Sequence, residues 1–231
     1  MNDKKIGIIG GMGPEATAYY YTQMIKLTGV HKDQDHFRIY IDSNGKVPDR
    51  TAAILGKGPS PVPYILETID WMNKVGVQEA FIPCFTSHYF FDDYMAHANF
   101  KLHNAFSVCN EFLKNELPDV KKVGILATTG TRSTQIFDQY ITNVELIYPS
   151  DSDQEKKVMK AIYDPKVGIK GGKTEGECIV LLVQAADALI DQGAQCILAG
   201  CTEIGLVLRP HHLSVPLVDP MLLTVLEIIK K

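Results

Sequence analysis

The chain has 231 residues, of which 45% are hydrophobic and 22% charged, a composition typical of a globular protein with one large domain or two small ones. The formal net charge of −4 offers no basic surface to nucleic acid, and no apolar run approaches the roughly 18 residues of a membrane-spanning helix. Partners of these two classes, nucleic acid and membrane, are therefore not expected.

The start of the chain, MNDKKIGIIGG, leads from charged residues directly into a strand-like segment and lacks the apolar stretch and cleavage pattern of an export signal. This predicts a cytoplasmic location. The five cysteines are an odd number without CxxC pairs or zinc-finger spacing, so neither a disulfide framework nor a structural zinc site is expected. A cysteine with a special role is then a reduced thiol.

Short apolar runs alternate with longer segments of helical period along the whole chain. The first half reads KKIGIIGG, PEATAYYYTQMIKLTG, FRIYID, YILETIDWMNKVG and EAFIPC, which predicts the order β-α-β-α-β. The second half repeats it with KKVGILATTG, a helix around RSTQIFDQYI, VELIYP, ECIVLLVQAADALIDQG and QCILAGC. Such alternation predicts an α/β fold with parallel sheets covered by helices.

The two halves also share residues at one fixed offset, the 117 positions between Gly7 and Gly124. At this offset, without a gap, identical residues coincide in the pairs Lys5 and Lys122, Ile8 and Ile125, Gly13 and Gly130, Gly76 and Gly193, Gln78 and Gln195, and Cys84 and Cys201. The matches fall where equivalent half-folds are expected to agree. We predict two pseudo-symmetric α/β domains: residues 1–105, with residues 210–231 packing back on them, and residues 106–209.

Cys84 and Cys201 coincide in this repeat, and each ends a predicted strand. Ligands of open α/β sheets bind beyond the carboxyl ends of the strands, so both thiols are expected at a binding site. If the halves face each other about a pseudo-two-fold axis, the thiols lie on opposite sides of a cleft. One thiolate can then remove a proton from a stereocentre while the other thiol returns one to the opposite face, which inverts the centre.

Thiol chemistry suits this reaction, because a pKa of about 8.5, lower beside a helix N-terminus, lets both protonation states exist near neutral pH. Thr86 and Thr202 stand where they can cap the helices that follow the cysteines. His88 shares a helix face with Cys84 and either tunes the thiol or contributes packing. The other cysteines, Cys109, Cys178 and Cys196, lie inside helix or strand patterns and are predicted core residues.

Two loops leave alternatives open. GGMGPEAT contains Gly11, Gly13 and Ala16 in a weak dinucleotide-binding pattern, and Asp42 ends the next strand, but the repeat does not duplicate the whole glycine pattern. Nucleotide binding is therefore disfavoured. ATTGT, residues 127–131, is either a carboxylate cradle or an ordinary hydroxyl-rich turn.

Two cations stand in loop-like contexts. Arg50 and Lys166 are suited to binding carboxylates, Arg as a bidentate fork and Lys as a point charge. Either one taken alone is better explained as a solvated surface charge.

Taken together, IGIIGGMGPEAT, PDRT, IPCFTSH, LATTGT and AGCTEIGLVL resemble the aspartate/glutamate racemase family, closest to its aspartate racemase branch. The resemblance implies a pyridoxal-phosphate-independent amino-acid racemase that needs no cofactor, is often a homodimer, and has its active site in the cleft between two pseudo-symmetric domains. Cys84 and Cys201 match the two catalytic bases of the family. The implied substrate-contacting residues are Met12, Arg50, Phe85, Thr86, Thr129, Lys166 and Thr202.

Phe85 departs from the family pattern, which usually has Asn after the first cysteine. An Asn side chain can hydrogen-bond polar groups of the substrate and Phe cannot, which costs roughly 1 to 3 kcal/mol for each group left unpaired. Aspartate is the first expected substrate, glutamate the second, and a less polar amino acid is a third. The alternatives are a related cysteine-dependent isomerase or decarboxylase of a dicarboxylate, and a non-catalytic ligand-binding homologue.

Overall fold

A computed structural model describes residues 4–230. The chain divides into two compact units: the first runs to Val108 and takes up the chain again at Met221, and the second is Cys109–Pro220. The domain boundaries of the sequence analysis, residues 1–105 with 210–231 and residues 106–209, stay a prediction.

Within the described residues, the strands form two four-stranded parallel sheets. The strands of the first unit are β1 (Lys5–Gly10), β2 (Arg38–Ser43), β3 (Glu79–Phe81) and β4 (Lys101–Leu102), in the order β2-β1-β3-β4. Those of the second unit are β5 (Lys122–Leu126), β6 (Glu145–Ile147), β7 (Cys196–Ala199) and β8 (Leu217–Val218), in the order β6-β5-β7-β8. The two units therefore have the same topology, and the predicted fold class is confirmed.

Helices flank both sheets. The first part of the chain supplies α1 (Pro14–Thr28), α2 (Arg50–Ile54), α3 (Val62–Val75), α4 (Phe91–Met95) and α5 (Ala105–Glu116), in which the unit boundary falls. The second part supplies α6 (Thr129–Ser133), α7 (Ile136–Tyr140), α8 (Asp151–Asp153), α9 (Lys160–Tyr163), α10 (Glu177–Asp191), α11 (Thr202–Val207) and α12 (Pro220–Ile229). A π-helical segment, Gln154–Met159, joins α8 to α9, and short 3-10 turns occupy Asp33–Asp35, Thr86–Phe90, Ile169–Gly171 and Pro210–His212. None of the helices in residues 4–230 is both long and apolar enough to cross a membrane.

The repeat is visible in the contacts as well as in the topology. Gln78 Oε1 accepts the N–H of Lys5 at 2.9 Å, and Gln195 Oε1 accepts the N–H of Lys122 at 3.2 Å. The Nζ of Lys5 donates to the carbonyl of Val75, and that of Lys122 donates to the carbonyl of Gln192, so each lysine places a positive charge at the carbonyl end of the helix that leads into β3 or β7. Identical residues at the 117-residue offset thus make equivalent bonds, which confirms the internal repeat.

A matched pair of glycines ends the helices that precede β3 and β7. Gly76 and Gly193 have φ angles of 74° and 94°, in the left-handed region that favours glycine. The middle of the alignment, however, needs correction. Arg38 in β2 pairs with Lys5, whereas Glu145 in β6 pairs with Lys122, so these strands are not related by the gap-free offset. The first half has extra residues between its first and second strands, and the second half has as many extra residues between its second and third strands. The 117-residue offset therefore holds again at β3 and β7.

Candidate active site

Cys84 lies just beyond the carboxyl end of β3 in the first unit. Its backbone N–H donates to the carbonyl of Ile82 at 2.7 Å in a tight turn, and its side chain is 5% exposed. Met12, from the loop between β1 and α1, is buried in the same apolar cluster. The neighbouring strands β1 and β3 therefore bring two of the predicted site residues into one cluster.

His88 fixes the backbone around this cysteine. Its Nε2 is 3.4 Å from the N–H of Ala105, and because that N–H must donate, we assign the imidazole hydrogen to Nδ1, which then donates to the carbonyl of Cys84 at 2.9 Å. Burial lowers the pKa of His88 to about 4, so the ring is neutral at neutral pH. Of its two predicted roles, tuning the thiol and packing, the contacts favour packing, because the ring ties the Cys84 loop to the start of α5.

Phe85 belongs to an aromatic cluster formed by Phe85, His88, Phe91 and Phe106. The Phe85 ring lies edge-on to Phe106 at a centroid distance of 5.6 Å, and its side chain is 2% exposed. His88 stacks on Phe91 at 5.5 Å. The cluster accounts for an apolar residue at position 85 through packing inside the first unit, while a contact of Phe85 with the substrate stays a prediction.

Arg50 and Thr86 lie on elements that pack against each other, α2 and the turn Thr86–Phe90. Arg50 opens α2, and its Nη1 donates to the carbonyl oxygens of Val47 and Pro48 at 3.3 and 3.0 Å. These bonds hold the half-buried guanidinium close to its own loop. The predicted capping role of Thr86 is wrong, because Phe85 occupies the N-cap position and makes no side-chain cap hydrogen bond.

Cys201 follows β7 in the second unit and is the N-cap residue of α11. Gly200 permits this path, since a Cβ on it would lie 2.9 Å from the carbonyl oxygen of Leu126 and from the ring of Phe137. The Cys201 side chain is 6% exposed. The predicted capping role of Thr202 is also wrong, because the residue lies in the first turn and its hydroxyl donates to the carboxylate of Glu203 at 3.1 Å.

Glu203 is the polar partner of Cys201. Its Oε2 accepts a hydrogen bond from the Cys201 thiol at 2.9 Å, and its Oε1 pairs with Nζ of Lys170, from the turn Ile169–Gly171. Burial opposes ionisation of Glu203, but the Lys170 charge and the bond from Cys201 outweigh it, so the pKa of Glu203 lies below its usual value. A buried carboxylate ion therefore stands beside the thiol.

The protonation state of Cys201 follows from its burial and from this carboxylate. Burial and the negative charge of Glu203 raise the pKa of the Cys201 thiol well above its ordinary value, although the Lys170 ammonium acts in the opposite direction. The lowering expected beside a helix N-terminus is therefore outweighed at this cysteine. Cys201 is a protonated thiol at neutral pH, with its hydrogen directed at Glu203.

The ATTGT loop is tied to the fold through its polar groups. Thr128 caps α6 by accepting the N–H of Thr131 at 3.2 Å. Gln154, from the π-helical segment, donates its amide to the carbonyl of Ala127 at 2.9 Å and to Thr129 Oγ1 at 3.4 Å, and Met159 Sδ lies 3.3 Å from the N–H of Thr129. The contacts favour a well-supported turn with Thr129 exposed on it.

Lys166 is exposed on a turn that Asp164 stabilises. The Asp164 carboxylate accepts the N–H groups of Lys166 and Val167 at 2.8 and 3.1 Å, and these bonds lower the pKa of Asp164. Lys166 lies on the turn after α9, whereas Cys201 lies between β7 and α11. Binding of a substrate carboxylate by Lys166 stays a prediction.

The remaining predicted residues have structural partners. Asp42, considered as a ribose-binding acid, accepts a short hydrogen bond from Thr68 on α3. Cys109, Cys178 and Cys196 are fully buried, which confirms them as core residues, and all five cysteines are free thiols. Among residues 4–230, no group of three or more His, Cys, Asp or Glu side chains is arranged to hold a metal ion.

Three polar residues at these sites were missed by the sequence reasoning: Glu203, Lys170 and Gln154. Glu203 had a usable signal, because it is a carboxylate inside the otherwise apolar run AGCTEIGLVL, directly after the cysteine motif. Lys170 and Gln154 stand in polar stretches, where nothing distinguishes them from surface residues.

Comparison with known proteins gives a match to the family model described as Asp/Glu/Hydantoin racemase over residues 9–228. An uncharacterised protein of Pectobacterium carotovorum subsp. carotovorum is 37% identical over 97 residues, which is 41% of this chain and 61% of that protein. The broad specificity amino-acid racemase RacX of Bacillus subtilis is 24% identical over 229 residues, covering 93% of this chain and 92% of its own.

Among solved structures, an aspartate racemase of Picrophilus torridus superposes with a TM-score of 0.84 at 23% identity, covering 98% of this chain and 94% of that chain. A glutamate racemase of Francisella tularensis, in complex with D-glutamate, superposes with a TM-score of 0.68 at 14% identity and covers 99% and 80%. At these identities the likeness establishes the fold.

Proposed function

The chain belongs to the Asp/Glu/Hydantoin racemase family and, as a racemase, is an isomerase; we propose that it interconverts the enantiomers of a free amino acid, aspartate first and glutamate second, by proton transfer at Cys84 and Cys201. The observation that carries the proposal is the equivalent placement of the two thiols. Each follows the third strand of its sheet, β3 or β7, at the end where ligands of such sheets bind. The reaction needs no pyridoxal phosphate and no metal in this scheme.

The proposed step balances with the two thiols alone. The Cys84 thiolate takes the α-proton, and the electron pair of the broken C–H bond remains on the substrate as a carbanion stabilised by its carboxylate. The Cys201 thiol then gives its proton to the other face of the same carbon. The product is the opposite enantiomer, with Cys84 protonated and Cys201 ionised, and the reverse reaction uses the same groups in exchanged roles.

The protonation state of Cys201 supports this assignment. The thiol is buried, protonated at neutral pH and hydrogen-bonded to an ionised carboxylate, so it is suited to act as the acid in the first half of the reaction. Since Cys201 takes the role of the acid in this direction, Cys84 is assigned the role of the first base.

An acidic substrate is proposed because each unit carries a cation among its predicted site residues, Arg50 in the first and Lys166 in the second. Phe85 is the feature that favours a less polar substrate, and its packing against Phe106 weakens that argument, since the ring already has a structural role. The homodimer, the cytoplasmic location and the remaining substrate contacts stay predictions from the sequence and the resemblance.

The test is proton NMR in D₂O with each enantiomer of aspartate, glutamate and several neutral amino acids. The wild-type protein is expected to remove the α-proton signal of its substrate and to produce the other enantiomer. Cys84→Ala and Cys201→Ala should each lose about 10²- to 10⁴-fold in the rate of inversion, the usual contribution of a positioned acid or base. Cys178→Ala, which removes a buried thiol outside both sites, is the matched control and should keep full activity.

Two outcomes would contradict the proposal. If either cysteine variant inverts its substrate at the wild-type rate, the two-thiol reaction is excluded. If the wild-type protein exchanges no α-proton in the whole panel, a non-catalytic binding protein or a reaction on another substrate class becomes the better explanation.

A further inference from the structure

Lys170 stands outside the predicted site residues, yet it reaches one of the two thiols through a single carboxylate. Its Nζ pairs with Glu203 Oε1, while Glu203 Oε2 accepts the hydrogen of Cys201. The side chain of Glu203 is 6% exposed and that of Lys170 is 27% exposed. The three groups therefore form a network, the Lys170–Glu203–Cys201 network, that leads from solvent to the buried sulfur.

The inference rests on the proposed function, because proton transfer at Cys201 adds a negative charge to the Lys170–Glu203–Cys201 network. When Cys201 gives up its proton, a thiolate is left beside a carboxylate ion whose oxygen lies 2.9 Å from the sulfur. Two adjacent negative charges in a buried place repel each other strongly. A nearby positive charge is needed for both to persist.

We propose that Lys170 is a positioning residue for proton transfer at Cys201: its ammonium group keeps the Glu203 carboxylate in place and lets it remain ionised while Cys201 is a thiolate. Before transfer, one positive and one negative charge balance. After transfer, the Lys170–Glu203–Cys201 network carries one net negative charge, whereas without Lys170 it would carry two. Lys170 thus favours the thiolate form of Cys201, and Glu203 opposes it.

The surroundings hold the ammonium in this position. Lys170 Nζ lies 5.6 Å from the ring centroid of Tyr163, on α9, in a cation–π contact. The charges that act on the thiol come from Glu203, on its own helix α11, and from Lys170, on the turn Ile169–Gly171, with Tyr163 as the titratable group facing Lys170. A purely structural ion pair, tying this turn to α11, is the competing explanation.

The experiment measures the rate of Cys201 alkylation by iodoacetamide against pH in the protein without substrate, with the Cys201 peptide quantified by mass spectrometry. Lys170→Met and Lys170→Gln remove the charge, and Gln keeps a hydrogen-bond donor. Both are expected to move the midpoint of the Cys201 profile up by about one pH unit or more, since a lost attraction disfavours the thiolate. If one variant does not fold, the other carries the test.

Two control variants separate charge from packing. Lys170→Arg keeps the positive charge and should leave the midpoint within about 0.3 pH unit of wild type. Lys173→Met removes the same charge from an exposed lysine in the same connection between α9 and α10 and should also leave it unchanged. A folded Lys170→Met or Lys170→Gln variant with the wild-type midpoint would overturn the proposal in favour of the structural ion pair.

A second readout applies once a substrate is known. In the direction that begins with the Cys201 thiolate, the acidic limb of the kcat/KM profile of Lys170→Met, which reports the enzyme without substrate, should move to higher pH by the same amount as the alkylation midpoint, with KM within about twofold of wild type. A change in KM alone would contradict the proposal. Because alkylation needs no substrate, a failure of the racemase assignment and a failure of the Lys170 assignment remain distinguishable.

Discussion

The two cysteines occupy equivalent places in sheets of the same strand order, but the residues that follow them differ in kind. Cys84 is followed by Phe85, whose ring packs in the aromatic cluster, and Cys201 is followed by Thr202 and Glu203, whose polar groups face each other. The comparison shows that the repeat preserves the backbone and the thiols while the side chains around each thiol have diverged. The carboxylate that contacts Cys201 has no counterpart after Cys84, because Thr86 stands at the position related to Glu203 by the repeat.

Replacement of the residue after each cysteine is expected to give the largest difference between the units. Phe85→Ala removes a fully packed ring and should lower the free energy of unfolding by about 3 to 5 kcal/mol, whereas Thr202→Ala removes one hydroxyl hydrogen bond and should cost about 1 kcal/mol. Urea unfolding followed by circular dichroism measures both. A cost below about 1 kcal/mol for Phe85→Ala would show that the ring is not part of the packed interior and would restore its proposed contact with the substrate.

Most of the fold was predictable from the sequence, for identifiable reasons. KKIGIIGG and KKVGIL are apolar runs bounded by glycines, and β1 and β5 formed there with the predicted parallel partners. The middle of the repeat was mispredicted, because residues that match at the first and third strands do not fix the length of the connections between them. The helix expected around RSTQIFDQYI is divided into α6 and α7, with Gln135 between them in the left-handed region at φ 50°.

The site residues that belong to a recognisable sequence motif were predictable, and the others were not. Cys84 and Cys201 were identified by the repeat itself, and the structure places both just after a strand of a parallel sheet. The protonation of Cys201 was not predictable, because it depends first on the burial of the thiol and then on the ionised state of Glu203, which Lys170, far away in sequence, stabilises. Likewise, the polar segment SDSDQEKK gives no sign that Gln154 is buried against the ATTGT loop.

The buried imidazole of the first unit should give a pH dependence that has no counterpart at the related position of the second unit, where Gly205 stands. The pKa of His88 is lowered to about 4 in the folded protein, so the unfolded chain takes up the proton first as the pH falls. Stability contributed by this group is therefore lost from about pH 6.5 downward and levels off near pH 4, with a total of about 3 kcal/mol.

His88→Asn, which keeps a donor for the Cys84 carbonyl, should remove this loss of stability, while His31→Asn at an exposed position should not. The measurement is the free energy of urea unfolding at several pH values between 7 and 4.5. Parallel curves for wild type and His88→Asn would mean that the pKa of His88 is the same in the folded protein and the unfolded chain, which would contradict the lowering of its pKa by burial.

The smallest expected effect concerns the charge beside Cys201, and it compares the second residue after each cysteine. Glu203→Gln removes the negative charge that opposes the thiolate, so the midpoint of Cys201 alkylation should fall by about one pH unit or more, or about 1.4 kcal/mol. Thr86→Val, at the position related to Glu203 by the repeat, should leave the alkylation midpoint of Cys84 within about 0.3 pH unit, since no charge is removed. If Glu203→Gln leaves the Cys201 midpoint unchanged, the carboxylate does not control the thiol, and the raised pKa of Cys201 must come from its burial.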